Sequence, residues 1–197
     1  MNYLAHIALG GENPDHQVGG LLGDFVRGPL IGVFPMGVEV GILLHRKLDA
    51  FVDQQPEVRS FLRRFSSPMR RYAGIVADVF YDHLLANQWH SYYQQPLENF
   101  CQDFYGHLSA YESQLPPRAQ LFLQRAPATG WLQSYADEQH LPIILRAIGE
   151  RLRRPVALDQ ALPVIEQHRE EIEEEFSQLY PRLQTFVGNT LQEIDLN

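Results

Sequence analysis

The stretch Val38-Glu-Val-Gly-Ile-Leu-Leu-His45-Arg-Lys-Leu-Asp49-Ala-Phe-Val52 decides the fold class. Val38, Ile42, His45, Asp49 and Val52 recur at three- and four-residue steps, the period of one helical face, and strand-like alternation is absent. Two of the five are polar, so a face that ordinarily buries apolar side chains carries an imidazole and a carboxylate. Asp53 extends the row by a further turn.

Downstream, Asp78-Val-Phe-Tyr-Asp82-His83 lies inside what reads as one long helix. Asp78 and Asp82, four apart, share a face, and His83 sits beside Asp82 on the edge that carries Val76, Val79 and Phe80. A carboxylate buried without a partner costs several kcal/mol, so these positions call for an ion, an arginine or a water-filled cavity. Carboxylate and imidazole together suit Mn²⁺, Fe²⁺ or Zn²⁺, and a more oxygen-rich shell also admits Mg²⁺. On residue types alone a metal site stands beside an alternative, ion pairing with Arg46, Arg70 and Arg71. Asp24, in LLGDFVRG, falls where a helix gives way to a turn, and His6 lies in the apolar helix start NYLAHIAL.

Helix is expected nearly everywhere else. Further helices are expected to begin at Pro56, near Pro68, at Pro96 and at Pro117, because proline is tolerated in a first turn. Short helices joined by turns are expected over 126–160. Another helix should open at Leu158-Asp159 and run past the acidic stretch Glu166–Glu175 as a solvated face, with Pro181 kinking or ending it. With 197 residues and no repeat or low-complexity linker, a single all-α domain over residues 1–197 is expected.

The one cysteine, Cys101, excludes an internal disulfide, and no stretch approaches the ~20 apolar residues of a membrane span. The opening MNYLAHIALGGENPDH has no secretory pattern, so a cytoplasmic protein is expected. A net charge of −8 disfavours nucleic-acid binding. Within that acidic chain, RSFLRRFSSPMRR holds Arg59, Arg63, Arg64, Arg70 and Arg71 without an acid, a group suited to phosphate or an acidic protein surface. No GxSxG elbow, phosphate loop or dinucleotide fingerprint is present, which leaves metal-assisted attack by water as the chemistry these residue types perform.

At NYLAH, LLGDFVRG, GILLHRKLDAFVD and AGIVADVFYDHLLANQW the chain resembles the bacterial acyl carrier protein phosphodiesterases, through roughly its first half. That family is similar to the all-helical HD phosphohydrolases in a divergent form, and here the pair Asp82-His83 is reversed. The resemblance implies hydrolysis of the bond between 4′-phosphopantetheine and a serine of holo-acyl carrier protein, with a divalent metal, typically Mn²⁺, or else Mg²⁺ or Fe²⁺. It implies Asp24, His45, Asp82 and His83 as ligands, Asp78, Asp82 and His83 as catalytic groups, and His6 and Asp49 as supporting residues. The five arginines would then dock the acidic carrier protein. Some relatives carry Thr and His where this chain has Val52 and Gln55, which weakens any role for Asp53. A hydrolase of a nucleotide or another small phosphodiester, using the same site, is the alternative.

Overall fold

The structure, a computed structural model, describes residues 2–30 and 32–195, and no strand forms among them. Three helices at the N-terminal end set the geometry of the rest: α1 (Tyr3–Ala8), α2 (Pro14–Leu22) and α3 (Met36–Val52). Helix α2 begins as its sequence dictates, with the Asn13 side chain accepting from the Asp15 amide and Pro14 in the first turn. It then packs backbone to backbone on α3: a methyl group at Gly19 would lie 2.3 Å from the Val38 carbonyl oxygen and 2.6 Å from Cα of Gly41. Such an approach is open only to glycine.

The chain continues through α4 (Pro56–Arg63), α5 (Ala73–Asn87), α6 (Leu97–Ser109), α7 (Pro117–Thr129), α8 (Leu141–Glu150), α9 (Leu162–Gln167) and α10 (Arg169–Asp195). Helix α5 is the axial element, touching α1, α4, α8 and α10. Val76, Val79, Phe80, Tyr81, Leu84 and Leu85 are all buried on it, the all-round burial of a helix enclosed by others. One contiguous apolar core extends from Leu4 to Val187.

The expected starts at Pro56 and Pro117 are where α4 and α7 begin, and α6 starts one residue after Pro96. Near Pro68 a 3₁₀ turn, Met69–Tyr72, precedes α5. Short helices and 3₁₀ turns fill 126–160, and Gly130 closes α7 at φ 58°, a left-handed cap that lets the Trp131 amide return to the Ala126 carbonyl at 2.9 Å.

Two expectations about the C-terminal part change. Pro181 does not end its helix, because α10 runs through it to Asp195. Phe176, Leu179, Tyr180 and Leu183 are buried on both sides of the proline, and Phe186 stacks on Phe51 at 4.1 Å. Burial of that many side chains, at about 2 kcal/mol each, outweighs the ~3 kcal/mol cost of an interior proline. Nor is the acidic stretch only a solvated face. Arg64, with a side chain 9% exposed, pairs with Glu175 at 2.9 Å and Glu171 at 3.2 Å, pinning α4 to α10. Arg64 therefore leaves the expected partner-binding group, whereas Arg59, Arg63, Arg70 and Arg71 are exposed. Arg64→Ala is expected to lower stability by about 1–3 kcal/mol, by stranding Glu175, and Arg63→Ala by no more than ~0.5 kcal/mol, as read from urea unfolding midpoints.

Candidate active site

The close contact of α2 with α3 brings the Gly20 carbonyl to the ring of His45, whose Nδ1 lies 2.7 Å from that oxygen. A carbonyl only accepts, so Nδ1 carries a proton and Nε2 faces the other side, where it holds a second proton when the ring is a cation and offers a lone pair when the ring is neutral. There Nε2 meets Asp49 Oδ2 at 3.3 Å, one turn further along α3, and Asp24 Oδ1 at 3.9 Å. Gly23 leaves room for this ring, since a methyl group there would sit 2.1 Å from Cγ of His45.

His6 arrives from α1. Its ring stacks on that of His45, centroids 3.8 Å apart, and its Nε2 lies 3.1 Å from Asp49 Oδ1. Among the described residues, His6, His45 and Asp49 offer three donor atoms that lie within 4.8 Å of one another. Asp49, half exposed, thus serves both imidazoles from the open side of the cluster.

Burial lowers the His6 pKa to about 4, although Asp49 pulls it upward, so this imidazole is neutral at pH 7. For His45 burial also lowers the pKa, yet Asp49, Asp24 and the Gly20 carbonyl outweigh it and the net direction is up. Burial raises Asp49, but the two imidazoles that face it, His45 and then His6, outweigh this and hold it well below the ordinary carboxylate range. Asp24 is raised, first by burial and then by Asp49 and Asp78, with His45 opposing.

The fit of this set to a cation rests on His6. Its side chain is 1% exposed, and both ring nitrogens are sealed without a well-formed hydrogen bond to any described residue; the Asp49 contact is close but misaligned. A buried nitrogen in that condition costs about 1–3 kcal/mol unless something binds it. Two imidazole nitrogens with one or two carboxylates is the donor set expected of Mn²⁺ or Fe²⁺. The imidazole–carbonyl bond that orients His45 is the usual support of a ligating histidine. The arginine alternative does not supply the partner: Arg46 turns instead to the carbonyls of Val26 and Gly28, both at 2.9 Å, and Arg70 and Arg71 are exposed.

Asp82 and His83, expected as ligands and catalytic groups, are occupied elsewhere. Asp82 is fully buried, and its two oxygens accept the amides of Leu4 at 2.8 Å and Ala5 at 3.1 Å, the open first turn of α1. His83 directs Nδ1 to the Tyr135 carbonyl at 2.8 Å and stacks on Phe80 at 5.5 Å; burial lowers its pKa. Asp78 is half-buried and close enough to act on Asp24 electrostatically. The two residues given only supporting roles, His6 and Asp49, are at the centre of the cluster, with His45 and Asp24.

The family model for acyl carrier protein phosphodiesterase matches residues 1–183. The chain belongs to the acyl carrier protein phosphodiesterase family. The match extends well beyond the first half that the motifs cover. The chain is 33% identical over 184 residues to an acyl carrier protein phosphodiesterase of Serratia proteamaculans (strain 568), covering 93% of this chain and 95% of that protein. It is 32% identical over 184 residues to the protein of that name from Yersinia pestis, with the same coverage. An acyl carrier protein phosphodiesterase of Enterobacter sp. (strain 638) is 30% identical over 190 residues, covering 96% of this chain and 98% of that protein. No solved structure matches the chain at a significant level.

Two predictions follow from the roles of Gly23 and Asp82. In Gly23→Ala the His45 ring is displaced, so its downfield hydrogen-bonded N–H proton should vanish from the NMR spectrum while that of His83 persists. Asp82 has a folded-state pKa raised to about 7, by burial first, against the two amide donors. Between about pH 4 and 7 the folded chain then holds a proton that the unfolded chain has lost, so stability falls as pH rises through that window. Asp82→Asn should remove a slope on the order of 1 kcal/mol per pH unit, read from urea midpoints at pH 4.5, 5.5 and 6.5. Parallel curves would reject the assignment.

Proposed function

We propose that this chain hydrolyses the phosphodiester joining 4′-phosphopantetheine to a serine of holo-acyl carrier protein, giving apo-carrier protein and free 4′-phosphopantetheine. The observation that carries the reading is the buried, unbonded His6 beside His45 and Asp49, in a chain of this family. His6, His45 and Asp49 would hold a divalent cation, Mn²⁺ in preference to Mg²⁺ or Fe²⁺, with Asp24 at its edge. Such an ion supplies Lewis acidity toward the phosphoryl oxygens and neutralises their charge.

The remaining chemistry is assigned to side chains. Water forms the new bond to phosphorus, the bond from phosphorus to the serine oxygen breaks, and that oxygen takes up a proton. Asp24 lies outside the three-residue group, and burial raises its proton affinity with help from Asp49 and Asp78. It is suited to accept a proton from water or deliver one to the serine oxygen. Asp78 supports Asp24 through its charge. The Asp82-His83 pair takes no part in this scheme, being committed to α1 and to the Tyr135 carbonyl.

The exposed arginines Arg59, Arg63, Arg70 and Arg71 are the proposed contact for the acidic carrier protein. No helix among the described residues is long and apolar enough to cross a membrane. A cytoplasmic location belongs to the proposal, and the free, buried Cys101 is compatible with it.

Mass spectrometry of holo-acyl carrier protein incubated with this chain and Mn²⁺ tests the reading. Loss of the phosphopantetheine mass is expected, slowed at least roughly 100-fold in Asp49→Ala or His6→Ala and no more than about tenfold in Asp82→Asn. An unchanged mass with the folded protein, or turnover of nucleotide phosphodiesters in place of the carrier, would overturn it.

A further inference from the structure

A cleft of about 470 Å³ opens one helical turn from the cluster. Tyr3, Phe25 and Phe122 form its aromatic wall, with Tyr3 stacked on Phe25 at 5.9 Å and edge-on to Phe122 at 5.4 Å. Arg118, Arg125 and Arg151 also line it, and no acidic residue does, in a chain whose net charge is −8. The Arg118 guanidinium lies 5.8 Å over the Phe25 ring.

Cleft and cluster are joined through two residues. Tyr3 precedes His6 by three positions on α1, so the two side chains share a face about 5 Å apart along the axis. Phe25 directly follows Asp24. The Tyr3 hydroxyl feels both regions: burial raises its pKa, Asp24 adds to this, and Arg118 and Arg151 oppose it.

We propose that this cleft receives the pantetheine arm of the substrate, with the arm's phosphate lying toward His6 and Asp24. This rests on the function proposed above. A phosphodiester held at the cluster has two sides, a protein and a slender chain of amides and methylenes, and a concavity of this volume admits only the second. The aromatic wall suits the methylenes and methyls. Guanidinium groups carry donors alone, which match the amide carbonyls and the phosphate oxygens of the arm. The carrier body is left to the exposed face outside the cleft.

Titration calorimetry with free 4′-phosphopantetheine, inorganic phosphate and apo-carrier protein tests this on the wild type, Arg118→Ala and Leu121→Trp. Both substituted positions are exposed, and Leu121, 43% exposed at the cleft wall, gives a bulky ring that fills the space. Wild type should bind phosphopantetheine at least about tenfold more tightly than phosphate, both variants should lose that advantage, and apo-carrier binding should be unchanged. The proposal is overturned if the arm adds nothing to phosphate binding, if both variants keep the preference, or if apo-carrier binding weakens equally. Arm binding that is sensitive to the variants, in a protein that leaves holo-carrier intact, would reject the hydrolysis and retain the cleft; the reverse pattern would reject the cleft alone.

Discussion

The contact of α2 with α3 at Gly19 and Gly41 is the constraint on which the site depends. With a side chain at either position the two backbones would separate, the Gly20 carbonyl would leave His45, and Nε2 would lose its fixed direction. The same closeness gathers groups from three helices without a long loop. Asp24 ends its run at the C-terminus of α2, His45 and Asp49 come from one face of α3, and His6 enters from α1. A local backbone requirement thereby becomes a chemical one.

The cluster is an uneven distribution of charge. Two imidazoles stacked at 3.8 Å cannot both be cations at low cost, and burial resolves the conflict by keeping His6 neutral while Asp49 and Asp24 favour the proton on His45. Asp49 remains ionised because both rings face it. Asp82 is the counterexample in the same chain: a carboxylate equally rich in contacts, but shut away among α1 amides, where burial dominates and its pKa moves up. Side chains of one type divide here into a group that holds charge and a group that holds structure.

Much of this was legible in the sequence. The three- and four-step row through His45 and Asp49 gave both the helix and the shared face, and the spaced motifs of the first half gave the family. The centre of the site was not, because sequence shows which residues share a face but not which neighbour that face meets. Asp82 and His83 looked exceptional on α5, yet their neighbours proved to be the amides of α1 and the Tyr135 carbonyl. His6 stands alone in an apolar helix start, and only the fold brings its ring onto that of His45, 39 positions along the chain. Arg64 sat among four exposed arginines, and only the return of α10 showed its partners. The cleft arginines form no group in the sequence, because Arg118 and Arg125 stand on separate turns of α7 and Arg151 follows the end of α8.

Six residues are too few to form a stable helix unaided, and α1 persists because Asp82 binds its first free amides and the core takes Leu4, Ala5 and Ile7. A segment so short and so firmly held moves as one piece. Tyr3 faces the cleft and His6, one turn further along, faces Asp49, so ligands at the two sites share one mechanical element. Any preference that one ligand has for the position of α1 is returned in equal measure to the other, because coupling between two binding equilibria is reciprocal.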